Sequence, residues 1–327
     1  MCTYAKLGLL LALALVVVLP GPAGASGPKI GYPNSMAALG DSITRAMDAD
    51  PHVLGDQPQY SWSTGDNTTI ASQYYRILLN NDPIGGHNYN DAVSGAKMVD
   101  LNGQAQTAVS QGAEYLTILM GANDVCTDTE GHMTSVSTFT QEFNDAMVTL
   151  TSGLPYAHIF VASIPNVYHL WEILKDNETA RAAWGTFKIC QSLLVNPLST
   201  DQTDVDRRAA VLQRNTDFNT ALSQVCSSYP RCRFDDNAVF DSQFGADQVS
   251  TLDYFHPSVY GQQQLAYGTW AATWEFADPV SVPVGGIAEL PDGSGSSAAN
   301  HIALAGLAVA LVALGAGGWY GRRRWLS

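Results

Sequence analysis

The sequence has 327 residues, of which 46% are hydrophobic and 14% charged, and its 30 acidic residues against 16 basic residues give a net charge of −14. Such an acidic chain is disfavoured as a nucleic-acid binder or a ligand of anionic lipid surfaces, because both partners are themselves negative. Four of the basic residues lie near the termini, at Lys6 and at positions 322–324, so the region between them is more acidic still.

The first 25 residues have the pattern of a secretory signal peptide. Lys6 precedes an apolar run over positions 7–19, and Ala23, Gly24 and Ala25 form a small-residue cleavage site. An uncleaved anchor helix is the alternative, but the short apolar run and the A-x-A site favour cleavage after Ala25. We therefore expect an exported protein.

Residues 26–277 have the length of one large domain, in which short apolar runs alternate with longer helical patterns. The pattern predicts strands over 36–39, 89–93, 115–120, 158–164 and 233–234, and helices over 70–79, 137–150, 205–225 and 257–276. This alternation predicts an α/β fold, in which a parallel sheet is covered by helices on both faces. Ligands of such sheets bind beyond the carboxyl ends of the strands.

Ser42 directly follows the first apolar run, in the segment MAALGDSITRA. Asp41 or Ser42 could simply cap the next helix. As a nucleophile, however, Ser42 would need a nearby base, and His256 in DYFHPS is the best candidate. Asp253 lies three positions before His256 and could orient the imidazole, although the pair could also cap a helix start.

Glycine and asparagine follow the second and third apolar runs. Gly95 lies in AVSGAKMVDL and Asn123 lies in MGAND. The backbone N–H groups of Ser42 and Gly95 and the side-chain amide of Asn123 could bind an oxyanion. Turn formation is the alternative role for Gly95 and Asn123.

Together, these four segments in this order resemble the SGNH hydrolase superfamily, the GDSL-type esterases and lipases. The resemblance covers residues 36–276. It implies that Ser42, Gly95, Asn123 and His256 are the four name-giving residues, with Asp253 completing a catalytic triad. It also implies a flavodoxin-like α/β/α sandwich with a parallel five-stranded sheet in the order 2-1-3-4-5.

A finer resemblance is to the phospholipase B-like branch of that superfamily. It rests on the segments SWSTGD at 61–66, AVSGAKMVDL at 92–101, GANDVC at 121–126 and FHPSVYGQ at 255–262. Ile43 stands where the usual motif has leucine, but both residues are apolar.

Four cysteines remain after cleavage of the signal peptide, and an even number in an exported chain indicates two disulfides. Cys226 and Cys232 flank the short segment SSYPR, so their pairing is the simplest, and it leaves Cys126 with Cys190. Zinc ligation is the alternative, but the sequence has neither a C-x-x-C nor an H-E-x-x-H pattern. We expect no metal and no cofactor.

The C-terminal part of the chain predicts a membrane anchor. Residues 278–301 are rich in Pro, Gly and Ser and indicate a flexible tether. Residues 302–321 carry no charge and are long enough to span a bilayer. The three arginines at 322–324 that follow favour a cytoplasmic tail over residues 322–327.

We thus expect an exported, membrane-anchored serine esterase or lipase that hydrolyses carboxylic esters, with lipid or phospholipid acyl esters as the first substrate hypothesis. A carbohydrate O-acetyl esterase is the alternative within the same chemistry. A catalytically silent surface-binding module is the alternative outside it, although the complete set Ser42, Asn123, Asp253 and His256 argues against that possibility. The sequence indicates no nucleic-acid partner and leaves the oligomeric state open.

Overall fold

A computed structural model describes residues 29–277. The predicted signal peptide (1–25), tether (278–301), membrane helix (302–321) and basic tail (322–327) lie outside the described residues. Within 29–277, no helix has the length and apolar character needed to cross a membrane.

A five-stranded parallel sheet forms the centre of the fold. The strands of the described residues are β1 Ile30–Gly31, β2 Met36–Gly40, β3 Asn88–Asn90, β4 Tyr115–Leu119, β5 His158–Val161, β6 Cys232–Phe234 and β7 Phe276–Ala277. The central sheet has the order β3-β2-β4-β5-β6, and all neighbours are parallel. The two-residue β1 pairs with β7 in a separate small sheet, so β2 is the first strand of the central sheet along the chain. Counted from β2, the observed order is the predicted order 2-1-3-4-5.

Helices cover the sheet. Those of the described residues are α1 Gln73–Leu78, α2 Leu101–Gln111, α3 Ala122–Val125, α4 Val136–Gly153, α5 Val167–Leu174, α6 Glu178–Phe187, α7 Gln191–Leu194, α8 Gln202–Ser227 and α9 Val259–Ala272. Helix α4 packs against α2 and α8, and α1 packs against α9. Every residue of β2 and β4 is buried, and because alternate side chains of a strand point to opposite faces, both faces of the sheet are covered.

The predicted strands and the four predicted helices are all present, with shifted ends. The helix predicted over 257–276 begins only at Val259, where the Ser258 side chain accepts a hydrogen bond from the N–H of Gly261 and caps the helix. Helices α2, α3, α5, α6 and α7 were not predicted. They have eleven, four, eight, ten and four residues, too few for helical periodicity to be distinguished from a loop.

Candidate active site

The turn after β2 brings Ser42 to the carboxyl edge of the sheet. Gly40 has a φ of 157°, and a Cβ at this position would lie 2.4 Å from the carbonyl oxygen of Leu119 in β4. Only glycine allows the chain to pass β4 this closely and then turn. The glycine at the end of the apolar strand is thus required because the backbone leaves the sheet at this point.

Ser42, His256 and Asp253 form a continuous hydrogen-bonded row. The Nε2 atom of His256 lies 2.7 Å from the Oγ atom of Ser42. The Nδ1 atom of His256 is hydrogen-bonded to the Oδ2 atom of Asp253. With Nδ1 bonded to the carboxylate, Nε2 can accept the serine proton, which is the geometry that a base for Ser42 requires.

Backbone groups hold Asp253 in place. Its Oδ1 atom accepts hydrogen bonds from the N–H groups of Phe255 (2.9 Å) and His256 (3.1 Å). Both side chains of the pair are largely buried. The segment Asp-x-x-His thus forms a turn in which the carboxylate is hydrogen-bonded both to backbone N–H groups and to the imidazole ring of the histidine.

The environment stabilises the ion pair between these two groups. Burial alone would raise the pKa of Asp253, but the hydrogen bond and charge of His256 and the two backbone N–H groups outweigh it, so the pKa is lowered. Burial alone would lower the pKa of His256, but Asp253 outweighs it, with smaller contributions from Asp41 and Asp48, so the pKa is raised. These groups therefore stabilise the protonated form of His256, the imidazolium, relative to the neutral imidazole.

The two predicted oxyanion donors outside Ser42 lie next to each other. The Nδ2 atom of Asn123 donates a hydrogen bond to the carbonyl oxygen of Ala96 (2.9 Å), the residue after Gly95. Because an amide nitrogen has two hydrogens, one donor of Asn123 remains for a ligand. Within residues 29–277, the N–H groups of Ser42 and Gly95 donate no hydrogen bond. Three donors are therefore free to bind an oxygen atom.

Asp41 and Asp124 have structural contacts at the same edge. The Oδ1 atom of Asp41 accepts from the N–H of Ile43 (2.9 Å), and burial raises the pKa of Asp41 to about 7. Asp124 accepts from the N–H of Met98 (2.9 Å) and from the hydroxyl of Thr134 (2.7 Å). Asp124 thereby ties the segment after Gly95 to α3, in line with the structural role expected for it.

Two glutamines that the sequence analysis missed fix the backbone on either side of Ser42. Gln104 in α2 exchanges two hydrogen bonds with the backbone of Gly40, at 2.8 and 2.9 Å. Gln262 in α9 donates to the carbonyl oxygen of Ile43 (2.8 Å) and accepts from the N–H of Trp62 (2.9 Å). Gln262 lies within the FHPSVYGQ segment, whereas no motif includes Gln104.

Asp48 is a third acidic residue near His256 that the sequence did not single out. One carboxylate oxygen each from Asp48 and Asp253 and one ring nitrogen of His256 lie within 4.8 Å of one another. Such a group could hold a metal ion, but both ring nitrogens of His256 already have partners, in Asp253 and Ser42. The arrangement fits a hydrogen-bonded base better than a metal centre.

An apolar cavity of about 100 Å³ lies beside these residues. Its wall includes Ile43, which follows Ser42, and Phe255 and Pro257, which flank His256. The rest of the wall is mainly aliphatic or aromatic and includes Val167, Leu170, Val239, Phe244, Val249 and Leu265.

Two disulfides have the pairing expected from the sequence. Cys126 is bonded to Cys190, and Cys226 is bonded to Cys232. Cys126 directly follows α3, which carries Asn123, and Cys190 directly precedes α7. The first disulfide therefore joins the segment of Asn123 to the α6–α7 region.

A serine, a histidine and an acid that are hydrogen-bonded in a row at the carboxyl edge of a parallel sheet have the arrangement of a serine hydrolase on an α/β fold. More specifically, the model of the GDSL-like Lipase/Acylhydrolase family matches residues 36–268, and the chain belongs to this family. It is thus a hydrolase of the GDSL esterase and lipase type.

Solved structures of several bacterial proteins are similar to the chain. An extracellular lipase from Streptomyces rimosus has 15% identity and a TM-score of 0.40, with 73% of this chain and 99% of the lipase covered. A family 3 carbohydrate esterase from Clostridium thermocellum has 12% identity and a TM-score of 0.42, with 72% and 93% covered. A phospholipase A1 from Streptomyces albidoflavus has 14% identity and a TM-score of 0.41, with 73% and 98% covered. No curated protein matches the chain.

Proposed function

We propose that this protein is an exported, membrane-anchored serine esterase that hydrolyses carboxylic esters of apolar acyl groups, in particular lipid or phospholipid acyl esters. The hydrogen-bonded row of Ser42, His256 and Asp253 supports the serine chemistry. The apolar cavity beside it is the observation that carries the choice of substrate.

In the first half of the reaction, the Oγ atom of Ser42 attacks the ester carbonyl carbon while its proton passes to Nε2 of His256. The carbonyl oxygen becomes an oxyanion, which the N–H groups of Ser42 and Gly95 and the amide of Asn123 bind. The bond between carbon and the alcohol oxygen then breaks. His256 donates its proton to the departing alcohol, which leaves an acyl group on Ser42.

In the second half, His256 removes a proton from water, and the resulting hydroxide attacks the acyl carbon. The same donors bind the second oxyanion, and the proton returns to Ser42 as the carboxylic acid leaves. Asp253 stays ionised throughout and stabilises the imidazolium of His256. Since these side chains supply the nucleophile, base and donors, we expect added chelator to leave the activity unchanged.

The apolar cavity supports a preference for long acyl groups over acetyl groups. Each methylene moved from water to an apolar wall contributes about 0.8 kcal/mol, so a chain of several carbons gains binding energy there that an acetyl group cannot gain.

A polar groove that includes Gly95, one of the candidate oxyanion donors, favours the alternative substrate, an O-acetylated carbohydrate. The groove is lined by Gly95 together with Asp91, Ser94, Asp100 and Gln104. These side chains can hydrogen-bond the hydroxyl groups of a sugar, and their acidic character suits an uncharged alcohol better than an anionic one.

A panel of esters tests the two substrates. On nitrophenyl acetate, octanoate and palmitate and on an acetylated xylan, we expect kcat/KM for octanoate to exceed that for acetate at least tenfold. Narrowing the cavity by Leu265→Trp should lower octanoate hydrolysis and spare acetate. Tyr267→Trp is the matched control, because Tyr267 lies on the same helix but is exposed and outside the cavity. Preference for acetate and the xylan would favour the carbohydrate esterase instead.

Export and anchoring are proposed from the sequence of the two termini. Residues 1–25 have the pattern of a signal peptide, and residues 302–321 have the length and composition of a spanning helix. An anchored enzyme would act close to a lipid surface, which agrees with a lipid ester as substrate.

A further inference from the structure

The side chain of Asp48 faces the His256–Asp253 pair from a different part of the chain. Asp48 belongs to the segment that follows Ser42, whereas Asp253 precedes His256 by three positions. Asp48 is 6% exposed and Asp253 is 7% exposed, and a carboxylate oxygen of each lies within 4.8 Å of the other and of a ring nitrogen of His256. Two nearly buried carboxylates therefore lie close to one imidazole ring.

Three hydrogen bonds hold Asp48 in this position. The N–H of Gly55 donates to its Oδ1 atom (2.7 Å), and its own N–H donates to the carbonyl oxygen of Gly55 (2.9 Å). The hydroxyl of Ser250 donates to the carbonyl oxygen of Asp48 (2.6 Å). Asp48 has a φ of 55°, a conformation that costs free energy for a residue with a side chain, so these contacts maintain it against local preference.

The charges that face His256 come from three segments. Asp253 binds Nδ1 directly, Asp41 lies in the turn before Ser42, and Asp48 lies in the loop after it. Asp41 is completely buried, and its pKa is raised to about 7, so it is ionised only in part near neutral pH. Besides Asp253, both Asp41, in part, and Asp48 thus add negative charge next to the imidazole.

We propose that Asp48 is a positioning residue that acts through His256, as a second carboxylate that stabilises the imidazolium formed when Ser42 loses its proton. The proposal rests on the proposed function only for the role of His256 as base. An opposite charge at 4–6 Å favours the charged form of a group, and the effect is larger where water is excluded. Asp48 therefore raises the proton affinity of His256 beyond the contribution of Asp253.

The loop that carries Asp48 also reaches the segment of Gly95. Asp56, next to Gly55, is hydrogen-bonded to the hydroxyl of Ser94 and forms an ion pair with Arg45 at 2.9 Å. One loop therefore contacts both the base and the neighbour of a candidate oxyanion donor. A test of Asp48 must consequently separate the loss of its charge from a displacement of the loop.

The variant Asp48→Asn makes that separation, because the asparagine oxygen can still accept the hydrogen bond from Gly55 while the charge is lost. In the full chain, we expect kcat to fall about fivefold to twentyfold and the acidic midpoint of the pH–activity profile to fall by about one unit. Asp50→Asn is the matched control. Asp50 accepts a backbone hydrogen bond from His52 in the same loop, at 3.0 Å, and its substitution should move neither quantity.

A titration of the His256 ring by NMR keeps the test independent of activity. In the Ser42→Ala background, we expect the pKa of His256 to be lower with Asp48→Asn than without it, and unchanged with Asp50→Asn. An unchanged pKa with Asp48→Asn, or an equal shift with Asp50→Asn, would overturn the role of Asp48. Failure of the proposed function would appear separately, as hydrolytic activity that survives Ser42→Ala.

Discussion

At the scale of single residues, the proposed chemistry depends on the hydroxyl of Ser42 and its hydrogen bond to His256. Replacement of Ser42 by alanine removes the proposed nucleophile without opening a large cavity. We expect turnover of nitrophenyl esters to fall by about 10⁴–10⁶-fold while the melting temperature stays near that of the parent protein. A Ser42→Ala variant that kept a tenth of the activity would exclude Ser42 as the nucleophile.

The pH dependence of activity follows from the raised pKa of His256. A general base must be unprotonated, so activity rises as the pH passes through the pKa of the free enzyme's histidine. Because the surrounding carboxylates raise that pKa, we expect the midpoint of kcat/KM to lie above about 6.5, the value of an unperturbed histidine. Asp253, whose pKa is lowered, stays ionised over this range. A midpoint below 6 would contradict the described environment.

In the proposed mechanism, Asn123 contributes a hydrogen-bond donor that matters only when the oxyanion forms. We expect Asn123→Ala to lower kcat by roughly 10²–10³-fold with a smaller change in KM, because the ester carbonyl of the ground state carries little charge. The substitution also removes the hydrogen bond to Ala96, so thermal unfolding should be measured alongside the kinetics. A change confined to KM would make Asn123 a substrate-binding residue instead.

At the scale of elements, the two disulfides differ in the length of chain that they close. Cys126 and Cys190 are 64 residues apart, whereas Cys226 and Cys232 are six apart. By loop-closure entropy, replacing both cysteines of the first pair by serine should cost about 4 kcal/mol of unfolding free energy, and of the second about 2 kcal/mol. Urea unfolding of the two double variants measures this difference, and the reverse order would contradict it.

The first disulfide also lies close to the candidate site, because Cys126 directly follows α3, the helix that contains Asn123. The pairing could be predicted because Cys226 and Cys232 are neighbours in sequence, which left one choice for the others. The helices that surround Cys190 could not be predicted, since α6 and α7 are short and their apolar residues contact distant parts of the core.

At the scale of the whole molecule, the proposed topology places the catalytic domain outside the cell. The segment 278–301 would act as a flexible tether with a reach of roughly 25 Å, which keeps the domain near the lipid surface. We expect protease treatment of intact cells to remove the domain, and a chain ending at Asn300 to be released into the medium. A domain that is cleaved only after lysis would reverse the proposed orientation.

Much of the fold and site was determined by the sequence alone, because the relevant signals are local. The apolar run 36–39 is followed by Gly40, Asp41 and Ser42, and Asp253 precedes His256 by three positions. The strand end, the candidate nucleophile and the candidate acid–base pair can therefore be recognised from short segments. The alternation of strands and helices likewise follows from hydrophobic periodicity, which adjacent residues define.

Only the tertiary structure decided how these segments are held together. Gln262 reaches the backbone of Ile43 across more than two hundred residues, and Asp48 approaches His256 over a similar separation. The apolar cavity beside Ser42 is also assembled from several distant segments. Such contacts depend on how helices and loops pack over the sheet, and no spacing within one segment encodes them.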